Sequence, residues 1–100
     1  MSDIHFEVIS SLGKRIRVTK SYWDFIITVK HPMMAGKEML VKDALMTADE
    51  VRRSNKDRSV FIYYKHLKGR FIAVVCKHLN GEGYIITTYI TDRIKIGEIV

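Results

Sequence analysis

Residues 70–92 constrain this chain more than any other stretch. Two runs rich in β-branched and aromatic residues, RFIAVVCKHL and YIITTYITD, flank the dipeptide Asn80-Gly81. Such side chains suit a pleated, half-buried surface, and Asn-Gly supplies the positive φ angles of a tight turn. The stretch predicts a long β-hairpin. Residues 60–66, joined to it through a turn at Gly69, add a further strand, so residues 60–66, 70–78 and 84–91 form an antiparallel meander. Packing accounts for most of the hairpin but not readily for Lys77, Thr87 and Tyr89.

Upstream, Ile4, Phe6 and Val8 alternate with polar partners as in a half-buried strand. Leu12-Gly13-Lys14 reads as a turn, and residues 15–19 as a second short strand with Ile16 and Val18 on one face. Ser21, three residues before Asp24, has the spacing of a capping box. A helix follows whose broad apolar face carries Tyr22, Trp23, Phe25, Ile26, Ile27 and Val29. Pro32 disfavours the α conformation at His31, so this helix should end near Lys30. Residues 35–46 predict a second helix, with Leu40, Val41, Ala44 and Leu45 turned inward. Thr47 and Glu50 repeat the capping-box spacing and predict a short turn through Val51. The polar residues 54–59 read as a loop, and 94–100 as a short edge strand or irregular tail. Helices grouped before a run of strands predict one α+β domain over 1–100, its two helices on one face of an antiparallel sheet.

The charge is the strongest compositional clue. A formal +6 with a pI near 9.6 comes from basic residues spread along the chain, among them Arg52, Arg53, Lys65, Arg93 and Lys95. Such a surplus attracts phosphate backbones through interactions that weaken with salt; otherwise it is a solvated surface. The single cysteine, Cys76, cannot form an internal disulfide, which agrees with a reducing cytoplasm. No apolar run approaches the ~20 residues of a membrane span, and the first residues lack a signal-peptide layout.

Strand alternation divides the meander into two sets. Val60, Ile62, Tyr64, Ile72, Val74, Cys76, Ile86, Thr88 and Ile90 form the more aliphatic set, expected against the helices. Phe61, Tyr63, Lys65, Phe71, Ala73, Val75, Lys77, Ile85, Thr87 and Tyr89 form the other, which mixes rings with lysines and hydroxyls. A free face of that kind suits nucleic acid, because rings stack on bases for ~1–3 kcal/mol each while lysines neutralise phosphate. A one-residue bulge in any strand would exchange the sets.

Several chemistries have no support in the sequence. The four histidines show no metal-ligand spacing, and residues 60–66 and 70–78 contain no Asp or Glu for a two-metal site. There is no Gly-rich phosphate loop and no GxSxG elbow, so no metal or cofactor is expected. What remains is metal-free chemistry on RNA, which carries its own nucleophile in the 2′-hydroxyl. A histidine moves the proton and a lysine offsets charge on the phosphate. His31 is the candidate, at a helix end beside Lys30; its alternative role is simply to terminate the helix. His66 and His78, at strand ends, and His5, on the first strand, are expected to be surface residues.

Trp23-Asp24-Phe25-Ile26 followed by Lys30-His31-Pro32 resembles the "W-x-H-I … R-H-P" helix of phage-associated nuclease-like domains in the barnase–EndoU–colicin–RelE group. Further similarities follow in order: Thr47-Ala48-Asp49-Glu50-Val51 to "P-D-x-V", Tyr63-Tyr64, Val74-Val75-Cys76-Lys77 to "V-V-V-K", Ile86-Thr87-Thr88-Tyr89 to "V-T-A-Y", and Lys95-Ile96-Gly97 to "K-x-G". The earlier histidine of the helix is replaced at Phe25 or Ile26, Ala48 stands for proline and Lys30 for arginine. The resemblance implies a curved barnase/RelE-like sheet and metal-independent RNA cleavage, often by a toxin neutralised by an acidic antitoxin. On that analogy His31, Lys77, Thr87 and Tyr89 are catalytic and Tyr63 meets a base or a phosphate; Lys30, Lys65, Arg52 and Arg53 are expected to touch RNA through their charge. The alternatives are a module that binds RNA or the ribosome without cutting, and a domain that docks an acidic protein.

Overall fold

A computed structural model describes residues 3–95 and 97–100. The chain opens with a hairpin of β1 (Ile4–Ile9) and β2 (Arg15–Thr19). The Oγ of Ser10, a buried residue, accepts from the backbone of Leu12 and Lys14 and holds the turn. Helix α1 (Lys20–Phe25) starts at Thr19, whose Oγ1 accepts from the Tyr22 amide at 3.2 Å. The cap is therefore Thr19 rather than the Ser21–Asp24 pair. The helix then widens into a π turn, Ile26–Lys30, closed by a bond from the His31 amide to the Ile26 carbonyl. It stops at Lys30 as Pro32 requires.

A 3₁₀ turn at Pro32–Met34 follows, and Gly36 at a φ of +78° delays the second helix, so α2 spans Glu38–Met46 rather than starting at residue 35. The expected turn through Val51 is instead a strand, β3 (Glu50–Arg53). Thr47 caps backwards, its Oγ1 donating to the Asp43 carbonyl at 2.9 Å, which leaves the next residues free to extend. Strands β4 (Val60–Leu67), β5 (Arg70–His78) and β6 (Glu82–Thr91) form the meander, and β7 (Glu98–Ile99) is a short edge strand.

The seven strands make one mixed sheet in the order β1-β2-β6-β5-β4-β3-β7. It is not wholly antiparallel, because β2 runs parallel to β6 through Arg15–Glu82, Ile16–Gly83 and Arg17–Tyr84. Nor do both helices share a face. Helix α2 lies over β4, β5 and β1, burying Val41, Ala44 and Leu45. Helix α1 packs on β1 and β2, and its π turn runs beside β6 beyond the point where β2 stops pairing. Local patterns predict helices well, but they cannot reveal a parallel pairing between segments more than sixty residues apart.

The face assignments change for two countable reasons. The β4–β5 turn leaves Leu67 opposite Arg70, so odd residues of β4 share a face with even residues of β5, and Tyr63 sits opposite Val74. Phe61 and Tyr63 therefore enter the core under α2, while Val60, Ile62 and Tyr64 turn to the other face. In β6 the register slips at Ile86: Cys76 faces Ile85, but Val75 faces Thr87. This bulge sends Ile85 into the core with Thr88 and keeps Tyr84, Thr87 and Tyr89 together on the opposite face. The core joins Trp23, Ile26 and Met34 to Ile16, Val18, Ile72 and Val74. No helix among the described residues is long and apolar enough to cross a membrane.

Two surface expectations also change. His5 is half-buried, 3.0 Å from Glu38 and stacked near Trp23. His78 is half-buried too, its ring stacked 3.9 Å from Phe61 and its Nε2 2.9 Å from the buried Tyr63 hydroxyl. Burial, with Lys14 and Arg53 nearby, pushes the His78 imidazole down to about 4. The folded state thus holds it neutral, and its contribution is complete above the unfolded value near 6.5 and lost as pH falls towards 4.

Two outcomes follow from this packing. Between pH 7.5 and pH 4, urea unfolding of the wild-type protein should show a loss about 1–3 kcal/mol greater than that of His78→Gln, the figure allowing for solvent screening. Gly83→Ala should destabilise by about 1–3 kcal/mol in the same measurement, because a Cβ there would collide with the Lys77 carbonyl and press on Ile16.

Candidate nucleic-acid interface

The sheet face away from α2 carries a groove made of two adjoining hollows, of about 580 Å³ and 520 Å³, both lined by Val60. Apolar strand residues make the floor: Val60 and Ile62 of β4 and Val75 of β5. Helix α1 contributes Tyr22 to one wall. The opposite wall comes from the end of β3, the loop at 54–57, Lys95 and Gly97.

The bulge in β6 organises the junction. Its Ile86 carbonyl, beyond the reach of β2, accepts from the Tyr22 hydroxyl at 2.7 Å and from Lys30 Nζ at 3.4 Å. The extra residue of the π turn accompanies this placement; π turns of this kind recur at functional sites. His31 comes next. Its ring lies 5.4 Å from that of Tyr89, and it is half-buried at the rim. Desolvation, aided by the charge of Lys30, lowers its pKa below the ordinary value, so the imidazole is neutral and able to accept a proton at pH 7.

Tyr89 lines the second hollow with Thr87, and Lys95 Nζ stands 5.6 Å from the Tyr89 ring. Thr87 Oγ1 and Tyr89 Oη are buried without a hydrogen-bond partner among the described residues. Neither oxygen is open to solvent, and each such group costs about 1–3 kcal/mol unless a small shift brings it a partner, which for Tyr89 is the neighbouring Tyr64 hydroxyl. Burial raises the Tyr89 pKa, with the nearby Tyr64 hydroxyl offsetting part of the effect, and the phenol stays protonated.

Lys77 shares this face but occupies the first hollow. Its Nζ is 3.0 Å from Asp57 Oδ2. Lys77 is registered with Tyr84, and Ala73 with Tyr89, so the four residue steps from Ala73 to Lys77 along β5 separate Lys77 from the Tyr89 row by roughly 13 Å. Asp57 is held down at about 2 by the Ser59 hydroxyl and amide and then by Lys77. Of the four residues expected to be catalytic, Lys77 lines the first hollow and Thr87 and Tyr89 the second, while the His31 ring lies 5.4 Å from that of Tyr89.

Arg52 and Arg53 line the second hollow. Arg52 bonds Glu50 and the Gly97 carbonyl, while Arg53 donates to the Arg58 carbonyl and lies 3.6 Å from Glu98. Lys30, Lys56 and Lys95 form no ion pair among the described residues, which leaves their charge to the groove and its rim. Two expected RNA contacts fall elsewhere. Tyr63 is fully buried, donating to Ser10 Oγ at 2.8 Å, so no base can stack on it. Lys65 lies on the α2 side, bonding the Thr47 carbonyl and hydroxyl at 2.9 Å each. Tyr22, Tyr84 and Asp57 were missed, because only the bulge and the loop conformation turn them inward. Among the described residues no three of His, Cys, Asp and Glu gather as metal ligands would.

No family model, characterised protein or solved structure matches this chain.

The electrostatics of His31 are directly measurable. Its imidazole should titrate below 6.5 by NMR, and Lys30→Gln should move that titration upward by removing a neighbouring positive charge.

Proposed function

We propose that the groove binds single-stranded RNA and that its His31 end cleaves the strand without a metal ion. The observation that carries this reading is the cluster of His31, Tyr89 and Thr87: a neutral imidazole beside two unpartnered hydroxyls, flanked by Lys30 and Lys95. His31 accepts the proton of a 2′-hydroxyl, and O2′ attacks the adjacent phosphorus. The P–O5′ bond breaks and the departing oxygen takes a proton from water, leaving a 2′,3′-cyclic phosphate and a 5′-hydroxyl. Lys95 and Lys30 offset the charge that grows on the phosphoryl oxygens, and Thr87 and Tyr89 hold the group in register. Lys77 serves the strand where it passes through the first hollow. An acidic protein covering the same cations would act as an inhibitor.

A second reading is a groove that holds RNA without cutting it. The ion pair of Lys77 with Asp57 and the presence of a single histidine at the cluster favour it. Incubation of tRNA with the protein in EDTA separates the two. Cleavage to cyclic-phosphate ends, reduced about 10²–10⁴-fold in His31→Ala with RNA binding retained, is the expected result. Binding that weakens steeply with salt while the RNA stays intact would establish the second reading instead.

A further inference from the structure

We infer that a third hollow, on the sheet face opposite the groove, is a site for a dianionic phosphate group held by Lys14, Arg53 and Arg58. The site is separate from the groove and stands whether or not the groove cuts RNA.

The hollow measures about 400 Å³ and is lined by those three cations with Phe61, His78 and Leu79. No acidic side chain lines it. The loop at 54–59 divides it from the groove: residues 54–57 line the groove's two hollows, whereas Arg58 and Ser59 line this one. Phe61 and His78 belong to the face that α2 covers, and Arg53, at the sheet edge, reaches both sides.

The backbone that carries each cation is fixed. Arg53 Nε donates to the Arg58 carbonyl at 2.9 Å, and its guanidinium lies 5.2 Å from the Phe61 ring, on which His78 stacks. The loop bearing Arg58 is pinned by Ser54, whose amide donates to the Val60 carbonyl and whose Oγ accepts from the Lys56 and Asp57 amides. Lys14 sits in the turn held by Ser10: its amide donates to Ser10 Oγ and its carbonyl accepts from the Ser10 amide at 2.7 Å. Ser10 Oγ also accepts from the Tyr63 hydroxyl, which is 2.9 Å from His78 Nε2. A buried polar chain thus ties the Lys14 turn to the His78 wall.

The two guanidiniums already converge on one oxyanion oxygen. Arg53 Nη1 lies 3.6 Å, and Arg58 Nη2 3.1 Å, from the same atom, Glu98 Oε1. That convergence suits a phosphate, whose further oxygens accept the remaining N–H groups of both forks. Glu98 is an exposed residue of the short strand β7 and supplies one negative charge against three positive. Lys14 has no carboxylate partner among the described residues. The surplus left over matches a phosphate monoester, which carries about −1.5 to −2 at pH 7, better than a diester link.

The test is NMR titration at pH 7.5 and constant ionic strength, read at the His78 ring, with inorganic phosphate as the probe and chloride as the control. Phosphate should move those signals saturably where chloride does not. Lys14→Gln and Arg58→Gln, neither side chain being buried, should each weaken binding about fivefold or more with an unchanged circular dichroism spectrum. Glu98→Gln should strengthen it by removing the competing carboxylate. Two uncuttable 2′-O-methyl uridine pentamers, one with a 5′-phosphate and one with a 5′-hydroxyl, identify the source. Competition by the phosphorylated pentamer alone supports the site and assigns it to an RNA end; competition by neither supports it as a site for free phosphate. Equal competition by both would overturn the preference for a dianion. His78 signals that follow chloride as closely as phosphate, or phosphate binding that survives both Lys14→Gln and Arg58→Gln, would overturn the site itself and leave the RNA reading of the groove untouched.

Discussion

The structure depends on one irregular residue in β6. Ile86 is the extra residue of a bulge, and from that slip follow the composition of the core, the membership of the groove and the course of α1. Below the bulge β6 pairs with β2; above it the strand's outer edge is open, and an unpaired carbonyl must find a donor. Tyr22 and Lys30 supply it from α1 and the π turn, which ties the helix to the sheet beside the groove. A backbone satisfaction requirement thus becomes a side-chain arrangement.

Charge follows the same division. On the α2 side the ionic residues are spent on local contacts, such as Lys65 on the end of α2 and His5 on Glu38. On the groove side Arg17, Arg52, Arg53 and Lys77 have carboxylate partners, whereas Lys30, Lys56 and Lys95 do not. Part of the unpaired positive charge therefore stands beside the groove. The low-dielectric floor strengthens its pull on an anion relative to the same charges in open water.

Much of this was legible in the sequence, and the limits have physical causes. The strands of the meander, the stop before Pro32 and the common face of Lys77, Thr87 and Tyr89 follow from local rules about β-branching, proline and alternation. Strand β3 was not legible, because Thr47 and Glu50 fit a capping box as well as they fit a helix end followed by a strand. The phase of β4 depended on a two-residue turn, and one residue of phase moved Tyr63 from the expected groove into the core. The parallel pairing of β2 with β6 left no local trace, and with it went the positions of Tyr22 and Tyr84. Alternation set Lys77, Thr87 and Tyr89 on one face, but residues alone could not say how far Lys77 stands from the Tyr89 row.

The β2–β6 pairing also sets an order of assembly. Residues 15–17 pair with residues 82–84, so the N-terminal hairpin has no neighbouring strand to join it to the sheet until the last long strand exists. Closing so long a loop is entropically costly and slow, and it comes after the local hairpins have formed. On the ribosome, Tyr22, Lys30 and His31 emerge well before the β6 carbonyl and rings that they meet in the folded domain. A nascent chain therefore carries the basic residues without the surface that organises them, and the groove comes into being only once synthesis has passed β6.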